Sequence, residues 1–291
     1  MTDSRHGATV VVKCGGTIAE LPEPMCADLA DRHHRGERLL LVHGGSSDID
    51  QLAGRLGVPQ RRLVGPGGVS GRYTDPDTLT VVTMALTGLA KPRLVDALVR
   101  HRVPALGLTG LDAGLVTAAG KRPFRAGLDG RSAIVRDDRS GRITVVAADL
   151  LHRLLDAGFL PVLSPPVFGA DGPLNVDSDR LAAAVAAALG ARELILLSDV
   201  PGVLADPADR ESVLARCPVP FDGPPTPSGG GMGAKLTAAR MALRAGVRVR
   251  ICSGLVPRPL SGALAGHGTE VVLESETRQP SPPTVLRTLS R

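Results

Sequence analysis

Short apolar runs broken by glycine turns set the rhythm of this chain. Ala8 to Val12, Arg38 to Val42, Ala105 to Leu108, Leu160 to Leu163, Leu194 to Leu197 and Val247 to Ile251 are rich in Val, Leu and Ile. Runs this short and this apolar predict strands buried on both faces. Between them, Met25 to His34, Thr78 to Leu86, Leu94 to Arg100, Leu150 to Ala157, Leu181 to Leu189 and the stretch up to about Ala245 read as helices. Thr144 to Val146 and Thr269 to Leu273 add strands, and Leu260 to Leu264 a short helix. Strand, helix and strand alternate along the chain, which defines the α/β class.

Four stretches break this rhythm. Gly65 to Gly71 reads as a flexible loop. Lys121 to Arg142 is polar and glycine-rich, with Arg122, Arg125, Arg131, Arg136, Arg139 and Arg142 around Asp137 and Asp138. We read it as a β-hairpin excursion with a basic face. Pro218 to Pro227 reads as a linker, and the polar, Pro-rich chain from Glu276 as a disordered tail.

Composition narrows the picture. Hydrophobic residues make up 43% of the 291 residues but aromatics only 2%, with no Trp and one Tyr. The core is therefore aliphatic, which suits a parallel sheet covered by Ala-rich helices. The shortage of aromatics argues against binding single-stranded nucleic acid, which relies on base stacking. The net charge is +5, spread without a Lys/Arg block. This suits an acidic partner and gives no nucleic-acid footprint. The four cysteines form no Cys-x-x-Cys pair, so reduced thiols are expected rather than zinc or a disulfide framework. Met1 to Gly7 is polar, without the apolar segment of a signal peptide, and no apolar run is long enough to span a bilayer. A cytoplasmic protein is the expectation.

The chemistry gathers where strands end in glycine. Val12 leads into Lys13-Cys14-Gly15-Gly16-Thr17, and Val42 into His43-Gly44-Gly45-Ser46-Ser47. Glycines after a strand let the backbone approach a ligand, and successive N–H groups form an anion nest. Two such turns early in the chain suggest loops on one sheet edge, where α/β folds place their sites. Arg72-Tyr73-Thr74-Asp75 puts a forked cation before a helix start. Leu174 to Arg180 sets Asn175, Asp177, Ser178 and Asp179 at the entry to an Ala-rich helix, and any of the last three can serve as its cap. Ser198-Asp199-Val200-Pro201-Gly202-Val203 closes another strand, and Ser228-Gly229-Gly230-Gly231-Met232-Gly233-Ala234-Lys235 opens a helix. Two lysines, glycine turns and a fixed carboxylate are what phosphoryl transfer needs. The dinucleotide fingerprint, the P-loop and the protein-kinase motifs are all absent.

Taken in this order, the motifs resemble the amino acid kinase family and its N-acetylglutamate kinase branch, over roughly residues 8 to 273. Ser46, in place of a third glycine, and Ser70-Gly71-Arg72-Tyr73-Thr74-Asp75 are similar to LysZ-type kinases. Those act on 2-aminoadipate or glutamate held by a small acidic carrier of the LysW type. Ala90-Lys91-Pro92 departs from the family's usual Asn-Lys.

The resemblance implies a three-layer αβα sandwich with a mainly parallel central sheet. It implies an N-terminal lobe over 1–176 for the acid substrate and carrier, and a C-terminal lobe over 177–275 for ATP. It assigns Lys13 and Lys235 to the transferring phosphoryl group and Asp179 to holding both. Gly44, Gly45, Arg72 and Asn175 fall to the acid substrate. Gly15, Gly16, Ser198, Asp199, Gly231 and Met232, with both lysines, fall to the nucleotide. ATP is the implied co-substrate, with Mg2+ held mainly through ATP. A homodimer is expected, since no extra N-terminal helix of the hexameric relatives is visible. The competing readings are an ordinary N-acetylglutamate kinase of arginine biosynthesis acting on free substrate, a sensor that kept the fold, and a carbamate or uridylate kinase.

Overall fold

The structure, a computed structural model, describes residues 9–64, 70–128, 131–223, 225 and 230–274. Its strands are β1 (Val10–Cys14), β2 (Leu39–His43), β3 (Arg62–Val64), β4 (Ser70–Arg72), β5 (Ala105–Gly110), β6 (Val116–Gly120), β7 (Phe124–Leu128), β8 (Arg131–Val135), β9 (Gly141–Val146), β10 (Leu160–Val167), β11 (Glu193–Ser198), β12 (Arg216–Val219), β13 (Arg248–Ser253) and β14 (Thr269–Leu273). Its helices are α1 (Gly16–Glu20), α2 (Glu23–His33), α3 (Ser46–Leu56), α4 (Pro76–Ala85), α5 (Lys91–Arg100), α6 (Ala148–Asp156), α7 (Ser178–Ala188), α8 (Gly230–Arg244) and α9 (Pro259–Leu264).

Eight strands form the central sheet in the order β12-β14-β13-β11-β1-β2-β10-β5. Six of them, from β13 to β5, run parallel, and β14 turns the edge antiparallel. The alternation of side chains explains both faces. Val11, Leu40, Val42, Leu194 and Leu196 pack on one side with residues of α6, α7 and α8. Val10, Val12, Leu39, Leu41, Ile195 and Leu197 pack on the other with α1, α2, α5 and α9. This is the three-layer αβα sandwich. The chain leaves β1 for β2 on one side and later returns through α7 to β11 on the other. The carboxyl ends of β1 and its neighbours are therefore a topological switch point, where α/β sheets bind ligands.

Two smaller sheets stand off the main one, β4-β3-β7-β8 and β6-β9. The first contains the expected hairpin excursion, since β7 pairs antiparallel with β8.

Several boundaries differ from the pattern reading. The glycine turn after β1 leads straight into α1, whose five residues are too few to show a helical period. Asp75 caps α4, accepting from the Thr78 amide at 2.8 Å, with Pro76 at the first helical position. That helix does not stop at Leu86 but passes through a π-helical turn, Leu86–Ala90, into α5. The expected linker begins instead as strand: Arg216–Val219 pairs with β14 at the sheet edge, where Pro218 and its missing N–H are tolerated. Of the expected flexible loop, Ser70–Arg72 forms β4. Its residues 65–69, and the tail from Glu276, lie outside the described residues.

Candidate active site

Asp179 binds two lysines from different parts of the chain. Its Oδ1 stands 2.7 Å from Lys13 Nζ, and its Oδ2 accepts from Lys235 Nζ at 3.3 Å. Each residue arrives by a simple local rule. Lys13 lies on β1 one residue beyond Val12, so it faces α7 together with Val11. Asp179 lies in the first turn of α7, where a negative side chain complements the helix dipole. Lys235 projects from α8, which packs beside α7. The Asp179 and Lys13 side chains are almost fully buried, and Lys235 keeps 12% of its side-chain surface exposed.

Electrostatics follow from this geometry. Burial opposes the charge on Lys13, but the Asp179 carboxylate 2.7 Å away outweighs it, and its pKa is raised. Burial likewise opposes the charge on Asp179, but Lys13 and Lys235 prevail and hold its carboxyl below the usual carboxylate range. Lys235 is shifted down, first by burial and then by repulsion from Lys13. Asp177 is pushed up by burial and by its neighbour Asp179. Two cations thus share the Asp179 carboxylate, with the Asp177 carboxyl close enough to act on both.

Glycines make room beside it. The turns after β1 and β2 are tied together, because the Gly44 amide donates to the Cys14 carbonyl at 3.1 Å. Gly44 thus contributes its missing side chain rather than a free donor. Gly45 is the residue before α3. A side-chain carbon on Gly16 would come within 2.9 Å of the Ser46 amide nitrogen at the start of α3. One on Gly15 would stand 4.0 Å from Lys13 Nζ. The amino ends of α3 and α7 therefore both meet this edge of the sheet, which favours an anion there.

Arg72 and Asn175 are brought to one flank. The Asn175 side-chain amide donates to Thr74 Oγ1 at 3.2 Å, and Thr74 Oγ1 in turn donates to the Arg72 carbonyl at 3.4 Å. The Arg72 guanidinium pairs with Asp50 at 2.8 Å and also hydrogen-bonds Gln60. Sequence reasoning missed these two holders, which sit on and just after α3 with no motif to mark them. Tyr73 is buried under Arg61, whose guanidinium lies 4.5 Å from the ring centre, and its hydroxyl donates to Asp137.

On the opposite flank, Ser198 ends β11 and donates to Asp199 Oδ1 at 3.2 Å, while its carbonyl accepts from the Gly254 amide at 2.8 Å. Gly231 and Met232 lie in the first turn of α8, about one turn before Lys235. Among the described residues no group of three or more His, Cys, Asp or Glu is placed to hold a metal ion. No helix among them is long and apolar enough to cross a membrane.

This fold, with a lysine-bracketed carboxylate at its switch point, is that of the amino acid kinase family, to which the chain belongs: the family's model matches residues 8–253. It is a phosphotransferase with ATP as co-substrate and a carboxyl group as acceptor. The chain is 39% identical over 265 residues to a [LysW]-aminoadipate kinase of Deinococcus radiodurans, covering 90% of this chain and 91% of that protein. It is 38% identical to the [LysW]-aminoadipate kinase of Thermus thermophilus, covering 90% and 99%. It is also 37% identical to an acetylglutamate kinase of Methanopyrus kandleri, again covering 90% and 99%. Among solved structures, smu.665 from Streptococcus mutans shares the fold, with a TM-score of 0.70 at 24% identity, covering 91% of this chain and 98% of that one.

Proposed function

We propose that this kinase phosphorylates the side-chain carboxylate of 2-aminoadipate or glutamate whose amino group is attached to a small acidic carrier protein of the LysW type. The observation that carries the chemistry is the Lys13–Asp179–Lys235 bridge at the switch point. The acceptor carboxylate is already ionised near neutral pH, so no general base is required. Its oxygen attacks the γ-phosphorus of ATP, the bond to the β–γ bridging oxygen breaks, and ADP leaves with that oxygen's electron pair. The difficulty is bringing a carboxylate against a polyanion, so positioning and charge neutralisation do the work. Lys13 and Lys235 stabilise charge on the transferring group, and Asp179 fixes their directions. Arg72 and Asn175 hold the α-carboxylate and blocked-amine end of the acid. Ser198, Asp199, Gly231 and Met232 belong to the nucleotide side. This divides the chain into an acid-binding lobe over 1–176 and an ATP-binding lobe over 177–275. ATP enters with its Mg2+, carried mainly by triphosphate oxygens and water.

The carrier reading is supported by the names of the relatives and by the basic sheet beside Arg72. Arg62, Arg125 and Arg136 are exposed on its strands or at their ends. A free acetylated substrate is the second reading, favoured by the acetylglutamate kinase relative. ATP-dependent hydroxamate formation separates them. Free N-acetylglutamate and N-acetyl-aminoadipate are compared with 2-aminoadipate and glutamate linked to a LysW-type carrier. Turnover of the carrier-linked acids that declines as salt is raised supports the proposal. Efficient turnover of free N-acetylglutamate overturns it.

A further inference from the structure

Three consecutive side chains at the start of α7 have oxygens to offer, and the structure gives each a different task. Asp177 takes the cap, its Oδ1 accepting from the Arg180 amide at 2.9 Å. Asp179 takes the two lysines. Ser178, between them, does neither, and among the described residues its hydroxyl has no hydrogen-bond partner. It is half-buried rather than turned out to solvent. Its position is fixed by Gly44: a side-chain carbon there would lie 2.8 Å from Ser178 Oγ and 3.6 Å from Ser178 Cβ. The hydroxyl therefore lies over the bare backbone of the Gly44-Gly45 turn, one residue from the carboxylate that holds both lysines. An unused donor beside two lysine ammoniums, at the amino end of an 11-residue helix, is matched by an anionic oxygen.

We propose that Ser178 is a catalytic residue whose Oγ–H donates a hydrogen bond to a non-bridging oxygen of the phosphoryl group during its transfer. The proposal rests on the reading of Lys13 and Lys235 as the phosphoryl-stabilising pair. Capping does not require the hydroxyl, because Asp177 already supplies that bond. No covalent bond to Ser178 forms. The donor strengthens as charge shifts on the phosphoryl oxygens, which is how a fixed hydrogen bond lowers a barrier.

The test compares wild type, Ser178→Ala and Lys235→Ala, each with ATP and with the γ-thio analogue ATPγS. A sulfur atom accepts hydrogen bonds poorly, so part of the wild-type preference for ATP reports this donor. Ser178→Ala is expected to lower kcat with ATP by about tenfold to a hundredfold, to leave the KM of the acid substrate within about twofold, and to show a smaller ratio of ATP to ATPγS turnover. Wild-type kcat in Ser178→Ala, or a lowered kcat with an unchanged ATP to ATPγS ratio, overturns the proposal. If Lys235→Ala keeps its turnover, the two-lysine reading itself has failed. If Lys235→Ala loses turnover and Ser178→Ala does not, only the role of Ser178 is lost.

Discussion

Lys13 and Lys91 are both buried, at 4% and 7% exposure, yet their pKa values are shifted in opposite directions. Lys13 lies on the α7 side of the sheet, against Asp179. Lys91 begins α5 on the other side and donates to the Leu108 carbonyl at 2.5 Å, with its stem against Gly107. Burial dominates at Lys91, with Asp112 opposing it, and the pKa falls to about 8. At Lys13 the adjacent carboxylate overcomes the same penalty. The lesson is that burial alone does not mark a functional lysine. What sets Lys13 apart is a carboxylate that keeps it charged and also holds a second cation, whereas Lys91, among the described residues, meets only a carbonyl.

The largest effect expected from this contrast is at Lys235. Lys235→Ala should lower turnover by roughly a hundredfold to a thousandfold, with the circular dichroism spectrum of wild type. Turnover near that of wild type in a steady-state assay removes its assigned role.

The next effect concerns His43, which shares its face of β2 with Leu41, away from Lys13. Its Nδ1 donates to the Gly44 carbonyl at 2.9 Å, and its Nε2 has no partner among the described residues. Burial lowers its pKa to about 4, against the opposing effect of that hydrogen bond. A folded pKa below the unfolded value means the unfolded chain binds the proton first as pH falls. Stability is therefore full above about pH 6.5 and declines toward pH 4, by about 3 kcal/mol in total from this residue. Urea titrations at pH 7 and pH 4.5 check this: His43→Gln should flatten the difference between them. An unaltered difference shows that other groups cause the acid sensitivity.

The smallest effect is at Arg72. Removing it should raise the KM for the acid substrate by roughly tenfold to a hundredfold, the worth of a charge-assisted hydrogen bond, while kcat changes little. An unchanged KM would leave the Asp50 and Gln60 contacts as the side chain's whole purpose.

Much of this was legible in the chain. The strands of the main sheet announce themselves because a strand buried on both faces is written in Val, Leu and Ile, and the glycine turns mark the carboxyl ends of β1 and β2. The pairing of Asp179 with Lys13 and Lys235 followed from the family resemblance, and the structure brings all three together. Other features were not legible for physical reasons. A five-residue helix such as α1 carries no period. A π-helical turn uses the same residues as an α-helix, so the continuity from α4 into α5 was invisible, and with it the burial of Lys91. Arg216–Val219 was partly hidden because Pro218 reads as a break, although an edge strand tolerates it. Asp50 and Gln60 meet Arg72 only through tertiary folding. Which of Asp177, Ser178 and Asp179 caps α7 was open in the sequence, and backbone geometry decides it for Asp177.

The most direct test of the contrast is to make Lys13→Met and Lys91→Met side by side and to measure ATP-dependent hydroxamate formation by each. The methionine keeps the buried stem and removes the charge. The account predicts that Lys13→Met loses turnover by a hundredfold or more, as a charge acting on the transferring group requires, while Lys91→Met stays within about threefold of wild type because its ammonium meets only the Leu108 carbonyl among the described residues. Equal losses in the two variants, or a Lys13→Met enzyme that keeps its turnover, would contradict it.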